Sequence, residues 1–113
     1  MDDSRALSLA LWLARLKVTS IHLECNGEHA ANYMTAAEWI DAELNDVTAR
    51  DFKDCDPQEI QRMKDTNTIW SLQIYKDTPI GFYRWVAPTM LEVIAKAHAA
   101  WPEIESPLQG TER

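Results

Sequence analysis

Apolar residues crowd the first stretch of the chain, from Ser4 to about Lys17. Ser4 is of a residue type that caps helices, and leucine and alanine then occupy most of a helical wheel. The remaining polar residues share one narrow sector, and Trp12 falls inside that sector. The pattern predicts a helix that is buried on several sides, either by its own domain or by a partner, and a homodimer is one such arrangement.

Residues 19–25 and 28–34 are two short stretches typical of strands, and Asn26-Gly27 separates them. Asn-Gly is a strong hairpin signal because a type I′ turn needs positive φ at both central positions. The pattern therefore predicts a first antiparallel hairpin, although apolar and polar residues alternate imperfectly along it.

Thr35 and Glu38 have the spacing of a capping box, in which the side chain of each residue bonds the backbone N–H of the other. They predict a helix that reaches about Val47. Three residues of this helix are expected to face the core: Ile40, Leu44 and Val47.

Asp56-Pro57 is a second helix start, with a capping residue, a proline at the first helical position and Glu59 in the first turn. It predicts a short helix that ends near Lys64. Two residues of this helix are expected to point inward: Ile60 and Met63.

Residues 69–75 and 80–86 predict a second hairpin, in which Tyr75 pairs with Ile80. In this register one face of the hairpin collects the large apolar side chains Trp70, Leu72, Ile74, Tyr83 and Trp85. Cross-strand aromatic pairs stabilise a sheet by up to about 1 kcal/mol each.

Pro88 is expected to start a last helix and Pro102 to end it. Glu92 and Lys96 have the i,i+4 spacing of an outward ion pair. Residues 103–113 show no periodicity and are expected to fray. The apolar stripe of this helix consists of Met90, Leu91, Ile94, Ala97 and Trp101.

These elements predict a single α+β domain over residues 1–102, in the order α-ββ-αα-ββ-α, with residues 103–113 as its C-terminal tail. Two antiparallel hairpins supply about four strands, which lie in one sheet or remain separate. Three to four helices are expected to pack on one face of the strands. The length of 113 residues and the hydrophobic content of 46% suit one globular core.

Charge and motifs exclude several classes of function. Eleven Lys and Arg against 18 Asp and Glu give a net charge of −7, which argues against direct binding to a nucleic-acid backbone. With only three glycines, no glycine-rich phosphate loop is present. No nucleophilic serine elbow, zincin helix or kinase motif occurs either. We therefore expect a protein that is not an enzyme and needs no cofactor.

The apolar run at residues 6–14 is too short for a membrane span, and it follows Asp2 and Asp3, whereas a signal peptide needs a positively charged start. Cys25 and Cys55 are too few for a disulfide framework. We expect a cytoplasmic protein with free thiols, and a single bridge between these cysteines stays open.

Two histidines and one carboxylate are the candidate metal ligands. In the Asn-Gly register, Glu24 lies opposite His29, and His22 lies diagonal to that pair on the same face. Such a set suits a divalent metal, and a small metal-binding enzyme or sensor is the alternative function. A solvated polar face with one cross-strand ion pair explains the same residues and is preferred, so no metal is expected.

The predicted core does not explain two of the five tryptophans, Trp12 and Trp39. Both lie among polar residues, where they are either interface contacts or boundary residues that cover the edge of their own core. From Glu38 to Asp65 the chain has nine acids and four bases, which accounts for −5 of the total −7. Trp39 therefore lies in the most acidic part of the chain.

The combination predicts a small acidic protein-interaction module, an inhibitor or an adaptor. Its acidic helical surface is expected to dock on a basic surface of another protein, such as a nucleic-acid-binding enzyme, as a mimic of nucleic acid. Small acidic inhibitors made by phages and other mobile elements share this size and charge, an analogy of composition. The partner-binding residues are expected to be Trp39, Glu38, Asp41, Glu43, Asp46 and Trp12.

Overall fold

The computed structural model describes the backbone of residues 3–111 and the side chains of residues 3–105. Within this range the fold is α+β, as predicted, with five helices and one antiparallel sheet of three strands. The elements are α1 (Asp3–Ala14), β1 (Ser20–Cys25), α2 (Glu28–Ala31), α3 (Ala36–Asn45), α4 (Pro57–Thr66), β2 (Trp70–Asp77), β3 (Ile80–Ala87) and α5 (Met90–Thr111).

The sheet has the order β1-β2-β3, so β2 is central and both other strands are edges. Because side chains alternate along a strand, Leu72 and Ile74 point to one face while Val86 points to the other. Helices α1 and α5 pack on the first face, and α3 and α4 pack on the second. The prediction of helices on one face was wrong, because both faces of the sheet carry apolar residues that need cover.

Two groups of buried side chains hold these layers together. The first core lies between the sheet and the pair α1 and α5, and consists of Leu9, Leu13, Leu72, Ile74, Ala87, Val93, Ile94, Ala97 and Trp101. The second core lies on the other face and consists of Ala36, Ile40, Phe52, Met63, Ile69 and Val86. Burial of such side chains stabilises the fold by about 1.5–3 kcal/mol each.

The predicted first hairpin is absent, which is why the sheet has three strands rather than about four. Asn26 adopts the left-handed conformation (φ 56°), but Gly27 is helical (φ −77°) and starts α2. A type I′ turn needs positive φ at both positions, so the chain enters a helix here instead of turning back. β1 pairs with β2, where Leu23 lies opposite Leu72.

The second hairpin forms, but its register differs by two residues from the prediction. Tyr75 pairs with Phe82 and Asp77 pairs with Ile80 because the turn contains only Thr78 and Pro79, joined by a cis peptide bond. A shift of two residues keeps every side chain on its face. The predicted aromatic and aliphatic face is therefore confirmed, and it lines the first core.

Helix α1 ends at Ala14 rather than near Lys17, and within this chain it buries only one side. Leu9 and Leu13 enter the first core, whereas Leu7 and Leu11 are exposed. The prediction of burial on several sides is therefore wrong for the single chain.

Both capping boxes form as predicted. Ile40 and Met63 are fully buried, as expected. Helix α3 ends at Asn45, however, so Val47 lies beyond it and is 85% exposed, and Leu44 is also exposed. The apolar side of α3 is thus shorter than its sequence pattern indicates.

Helix α5 begins at Met90 and ends at Thr111. It continues past Pro102, at which the sequence predicted the end of the helix. Proline removes one helical hydrogen bond, but Trp101 is only 3% exposed and Ile104 packs against the first core. These contacts hold the turn that contains Pro102. The fraying of residues 103–113 stays a prediction, and residues 112–113 lie outside the described range.

Glu92 and Lys96 do not pair with each other. Glu92 binds Arg62 through two hydrogen bonds of 2.7 and 3.0 Å, and Lys96 binds Glu59 at 2.8 Å. Both pairs join α5 to α4, so contacts between helices replace the expected pair within one helix.

Cys25 and Cys55 are free. Among residues 3–111, every helix is too short or too polar to cross a membrane.

Candidate functional site

Arg84, in the middle of β3, is the centre of a charged group on the second face of the sheet. Its guanidinium contacts Glu28 of α2, and its Nε lies 3.1 Å from Oδ2 of Asp51 in the loop between α3 and α4. The side chain is only 18% exposed. Two elements that are distant in sequence therefore meet β3 at this arginine.

Two further carboxylates, Glu43 and Asp46, lie close enough to interact electrostatically with this group, and we call Glu28, Glu43, Asp46 and Asp51 the carboxylate cluster. Burial raises the pKa of Glu43, and the charges of Asp51, Glu28 and Asp46 raise it further. The positive charge of Arg84 opposes this effect but does not cancel it. Burial is the larger cause, and the three neighbouring carboxylates show that negative charge is concentrated around Glu43.

Asp46 remains ionised within the cluster because Thr48 binds its carboxylate. The Thr48 backbone N–H donates to Oδ1 at 2.9 Å and the Thr48 hydroxyl donates to the same atom at 2.7 Å. These bonds lower the pKa of Asp46, and Lys53 adds to the shift. Lys53 donates to the Asp46 backbone oxygen at 2.8 Å.

Trp39 lies on α3 beside the carboxylate cluster. It is half-buried and packs against the second core, so it is a boundary residue with part of its indole accessible. Together with Glu28, Phe52 and Arg84 it lines a small cavity. The structure thus brings three predicted docking residues, Trp39, Glu43 and Asp46, to one surface.

Two other predicted residues of α3 are engaged elsewhere. Glu38 accepts the Thr35 backbone N–H at 2.8 Å in the capping box, and this bond, with that to the Thr35 hydroxyl, lowers the pKa of Glu38. Asp41 binds Lys64 of α4 at 2.7 Å. These carboxylates remain at the surface, but each already has a structural partner.

Trp12 belongs to the opposite side of the molecule. It is half-buried against the first core, with its ring edge-on to His98 at 5.0 Å and to Trp101 at 6.1 Å between centroids. The structure does not bring Trp12 to the surface that contains Trp39.

The three candidate metal ligands are not assembled. His22 Nε2 lies 3.0 Å from Glu24 Oε2 on β1, as two exposed neighbours. His29 is buried on α2, where its ring nitrogens bond Asn26 Oδ1 and the Met34 backbone oxygen, each at 2.9 Å. The expected pairing of Glu24 with His29 was wrong because residues 28–31 are helical. In the described part of the chain, no group of three potential ligands is placed to hold a metal ion.

Several surface residues escaped the sequence analysis. Glu28 and Asp51 join the carboxylate cluster through contacts that only the tertiary structure shows. Ile80 and Phe82 are 82% and 62% exposed, on the second face of β3. The sequence of β3 does contain a signal for these residues. It has apolar residues at successive positions, on both faces, and a strand of this kind is normally buried on both faces.

A cleft of about 490 Å³ lies beside the outer edge of β3, between α5 and the loop that precedes α4. At its floor, Lys96 Nζ donates to the Val86 backbone oxygen at 2.9 Å and lies 3.5 Å from the Cys55 Sγ. Burial raises the pKa of the Cys55 thiol, although Lys96 opposes the shift. The thiol is therefore protonated at neutral pH and is a poor nucleophile.

No protein-family model matches the chain, and neither a curated protein nor a solved structure matches it. The function is therefore inferred from the residues of the site itself.

Proposed function

We propose that this protein is a non-enzymatic interaction module that docks its acidic surface on a basic site of a partner protein. The surface consists of the carboxylate cluster and Trp39. The proposed partner is a protein whose basic site ordinarily binds nucleic acid. When this protein occupies that site, the partner is either inhibited or recruited.

The observation that carries the proposal is the grouping of Glu43 with three other carboxylates, two of which already share Arg84, so that their charges repel the Glu43 carboxylate. A fold selected for stability alone gains nothing from such repulsion, whereas a cationic partner relieves it on binding. Natural proteins accept a loss of stability of this kind at functional surfaces. The cluster is thus better explained by a partner than by the fold.

The ion pairs of the acidic segment support the same conclusion. Lys64 neutralises Asp41, and Arg62 binds Glu92, which lies outside the segment. Arg62 therefore pairs with none of the nine acids between Glu38 and Asp65. Two bases from outside the segment, Arg84 and Lys96, bind Asp51 and Glu59. The segment still has more acids than these cations neutralise, and Glu43 and Asp46 lie on or directly after the helix that carries Trp39.

Trp39 supplies the apolar part of the proposed contact. An indole at the edge of a charged surface has a large contact area, and tryptophan is enriched at the energetic centres of interfaces. Because Trp39 is already packed on one side, little side-chain entropy is lost when a partner covers the other.

Poly-L-lysine is a defined cationic probe for this proposal. We expect the Glu43→Gln/Asp46→Asn double variant to bind the probe about tenfold more weakly than the wild type at low salt. The matched control is Glu103→Gln/Glu105→Gln, which removes the same charge from exposed positions of α5. This control is expected to bind within about twofold of the wild type.

Salt and Trp39 complete the test. Affinity measured by calorimetry is expected to fall steadily with added NaCl, because screening weakens exposed charge interactions, and Trp39→Ala is expected to weaken binding further. Equal losses in the cluster variant and the α5 control would contradict the proposal, as would binding that ignores salt and Trp39.

A further inference from the structure

The outer edge of β3 is an open strand edge with exposed apolar side chains. β2 pairs with one side of β3, and among the described residues no strand pairs with the other. The Val86 carbonyl accepts Lys96 Nζ, so it faces away from β2. Because backbone direction alternates in an antiparallel strand, the N–H and C=O groups of Ile80, Phe82 and Arg84 face outward as well.

Edge strands of soluble proteins are normally protected by charged residues, by proline or by a covering element. β1, the other edge, has the ion pair of His22 and Glu24 on the second face. β3 lacks this protection. Its one charged residue, Arg84, is held by Asp51 and Glu28, and the outward positions toward the turn are Phe82 and Ile80.

We propose that β3 pairs with β3 of a second copy of this chain, antiparallel and centred on Phe82. The two three-stranded sheets then form one continuous sheet across a two-fold axis. Phe82 pairs with its own counterpart, and Ile80 pairs with Arg84 of the other copy. The outward backbone groups of these residues form about six hydrogen bonds between the copies.

The strand is self-complementary in this register. Tyr75 lies directly beside Phe82 in the sheet, so the row across the axis reads tyrosine, phenylalanine, phenylalanine, tyrosine. Adjacent aromatic side chains on one face of a sheet attract each other. In the next row Asp77 lies beside Ile80, and Ile80 pairs with Arg84 of the other copy, whose guanidinium stays bound to Glu28 and Asp51 of its own chain.

The cleft beside β3 fits the end of the paired strand. In the proposed register, Trp85 and Val86 lie opposite Pro79 and Thr78, so the turn of the second copy reaches the cleft that Trp85, Val86 and Ala99 line. Lys96 already occupies the Val86 carbonyl, and the partner strand ends there. A longer foreign strand would meet Lys96 and the Cys55 loop, which favours a second copy as the occupant.

The centre of the proposed interface is uncharged. The chain carries −7, so two copies repel each other wherever their acidic surfaces meet. β3 contains no acid, and Phe82, at the two-fold axis, lies beside Tyr75, whereas Glu28 and Asp51 lie two residues away, at Arg84, which neutralises part of their charge. The dimer presents two carboxylate clusters, but its formation does not depend on the proposed docking function.

Disulfide trapping tests the register directly, in a Cys25→Ser/Cys55→Ser background. Phe82→Cys places two thiols at a hydrogen-bonded pair with Cα atoms about 5.5 Å apart, which a disulfide spans. Ile80→Cys is the matched control, since its two copies lie about 14 Å apart along the strands. Oxidation is expected to link Phe82→Cys into a dimer and to leave Ile80→Cys as single chains.

Sedimentation equilibrium of the wild type is expected to give a mass that rises with concentration toward twice 12.9 kDa, and Phe82→Lys is expected to give the single-chain mass. Circular dichroism confirms that this exposed substitution leaves the fold intact. The proposal is overturned if the mass stays that of a single chain at protein concentrations up to about 1 mM. A dissociation constant of about 1 mM corresponds to a binding free energy of roughly 4 kcal/mol. A dimer that Leu7→Lys on α1 dissociates and Phe82→Lys does not also overturns it. Phe82→Lys is also tested for poly-L-lysine binding. Binding equal to that of the wild type shows that the docking function stands even where the dimer proposal has failed.

Discussion

Asn26 and Ile69 are joined by two hydrogen bonds that fix the path of the chain from β1 into α2. The Asn26 backbone N–H donates to the Ile69 oxygen at 2.9 Å, and the Ile69 N–H donates to the Asn26 side-chain Oδ1 at 2.8 Å. The same Oδ1 bonds the buried His29 ring at 2.9 Å. One amide side chain therefore closes β1 onto β2 and positions α2 beside them.

Replacement of Asn26 is expected to destabilise the fold in two separable ways. Asn26→Gly removes the partner of the Ile69 N–H, at a cost of about 1–3 kcal/mol, because a part-buried donor is left unsatisfied. Asn26→Ala is expected to cost about 1 kcal/mol more, since the residue has φ 56°, where alanine is strained and glycine is not. Urea unfolding of both variants measures the two contributions, and equal stabilities would contradict the left-handed conformation.

Arg84→Met is expected to destabilise the protein by about 2 kcal/mol at pH 7, because Glu28 and Asp51 lose their cation. The loss is expected to shrink at low pH, because Arg84 opposes the raised pKa of Glu43, and protonation of Glu43 removes the repulsion that the loss of Arg84 would increase. Adding Glu43→Gln to the variant is expected to restore part of the stability at pH 7. A loss that is independent of pH would show that packing rather than charge is responsible.

Glu43→Gln is expected to raise stability while it weakens docking. The folded-state pKa of Glu43 is raised, so its ionised form is disfavoured by folding, and the ionised group destabilises the protein above that pKa. Removal of the charge is expected to stabilise the protein by about 0.5 kcal/mol at pH 7, and the gain is expected to vanish below pH 4.5. Thermal unfolding at both pH values measures this, with Glu103→Gln as the control that changes neither.

Glu92 shows the opposite pH dependence. Hydrogen bonding to Arg62 lowers its pKa from the ordinary 4.5, against the effect of burial, and Thr89 contributes. A lowered folded-state pKa stabilises the protein above the unfolded pKa, and this contribution is lost as the pH falls through the folded value. Glu92→Gln is expected to cost about 0.5 kcal/mol at pH 7 and nothing near pH 2. Stability curves of the variant and the wild type that stay parallel from pH 7 to pH 2 would contradict this assignment.

Local signals predicted much of the fold. The capping boxes at Thr35 and Asp56 depend on residues within one turn, and both form. The aromatic face of the second hairpin depends on alternation alone, so it survived a register error of two residues. The hairpin prediction at Asn26-Gly27 failed because the Asn26 side chain binds both His29 and the Ile69 N–H, and the second contact spans 43 residues, so the local sequence does not show it.

The candidate site was predictable only in part. Trp39 lies within the acidic segment of the sequence. Its proximity to Glu43 and Asp46 was predictable because Glu43 is on the same helix and Asp46 caps that helix. Glu28, Asp51 and Arg84 meet only because α2, the loop before α4 and β3 converge in the folded chain. The open edge of β3 was hidden for a similar reason, because strand order decides which strand lacks a neighbour.

Chemical-shift mapping tests the central claim most directly. In a titration of the ¹⁵N-labelled protein with poly-L-lysine, the account predicts that amide shifts concentrate at Glu28, Glu43, Asp46 and Asp51, together with the Trp39 indole N–H. Shifts distributed evenly over all acidic residues, or confined to Glu103 and Glu105 of α5, would contradict the docking surface.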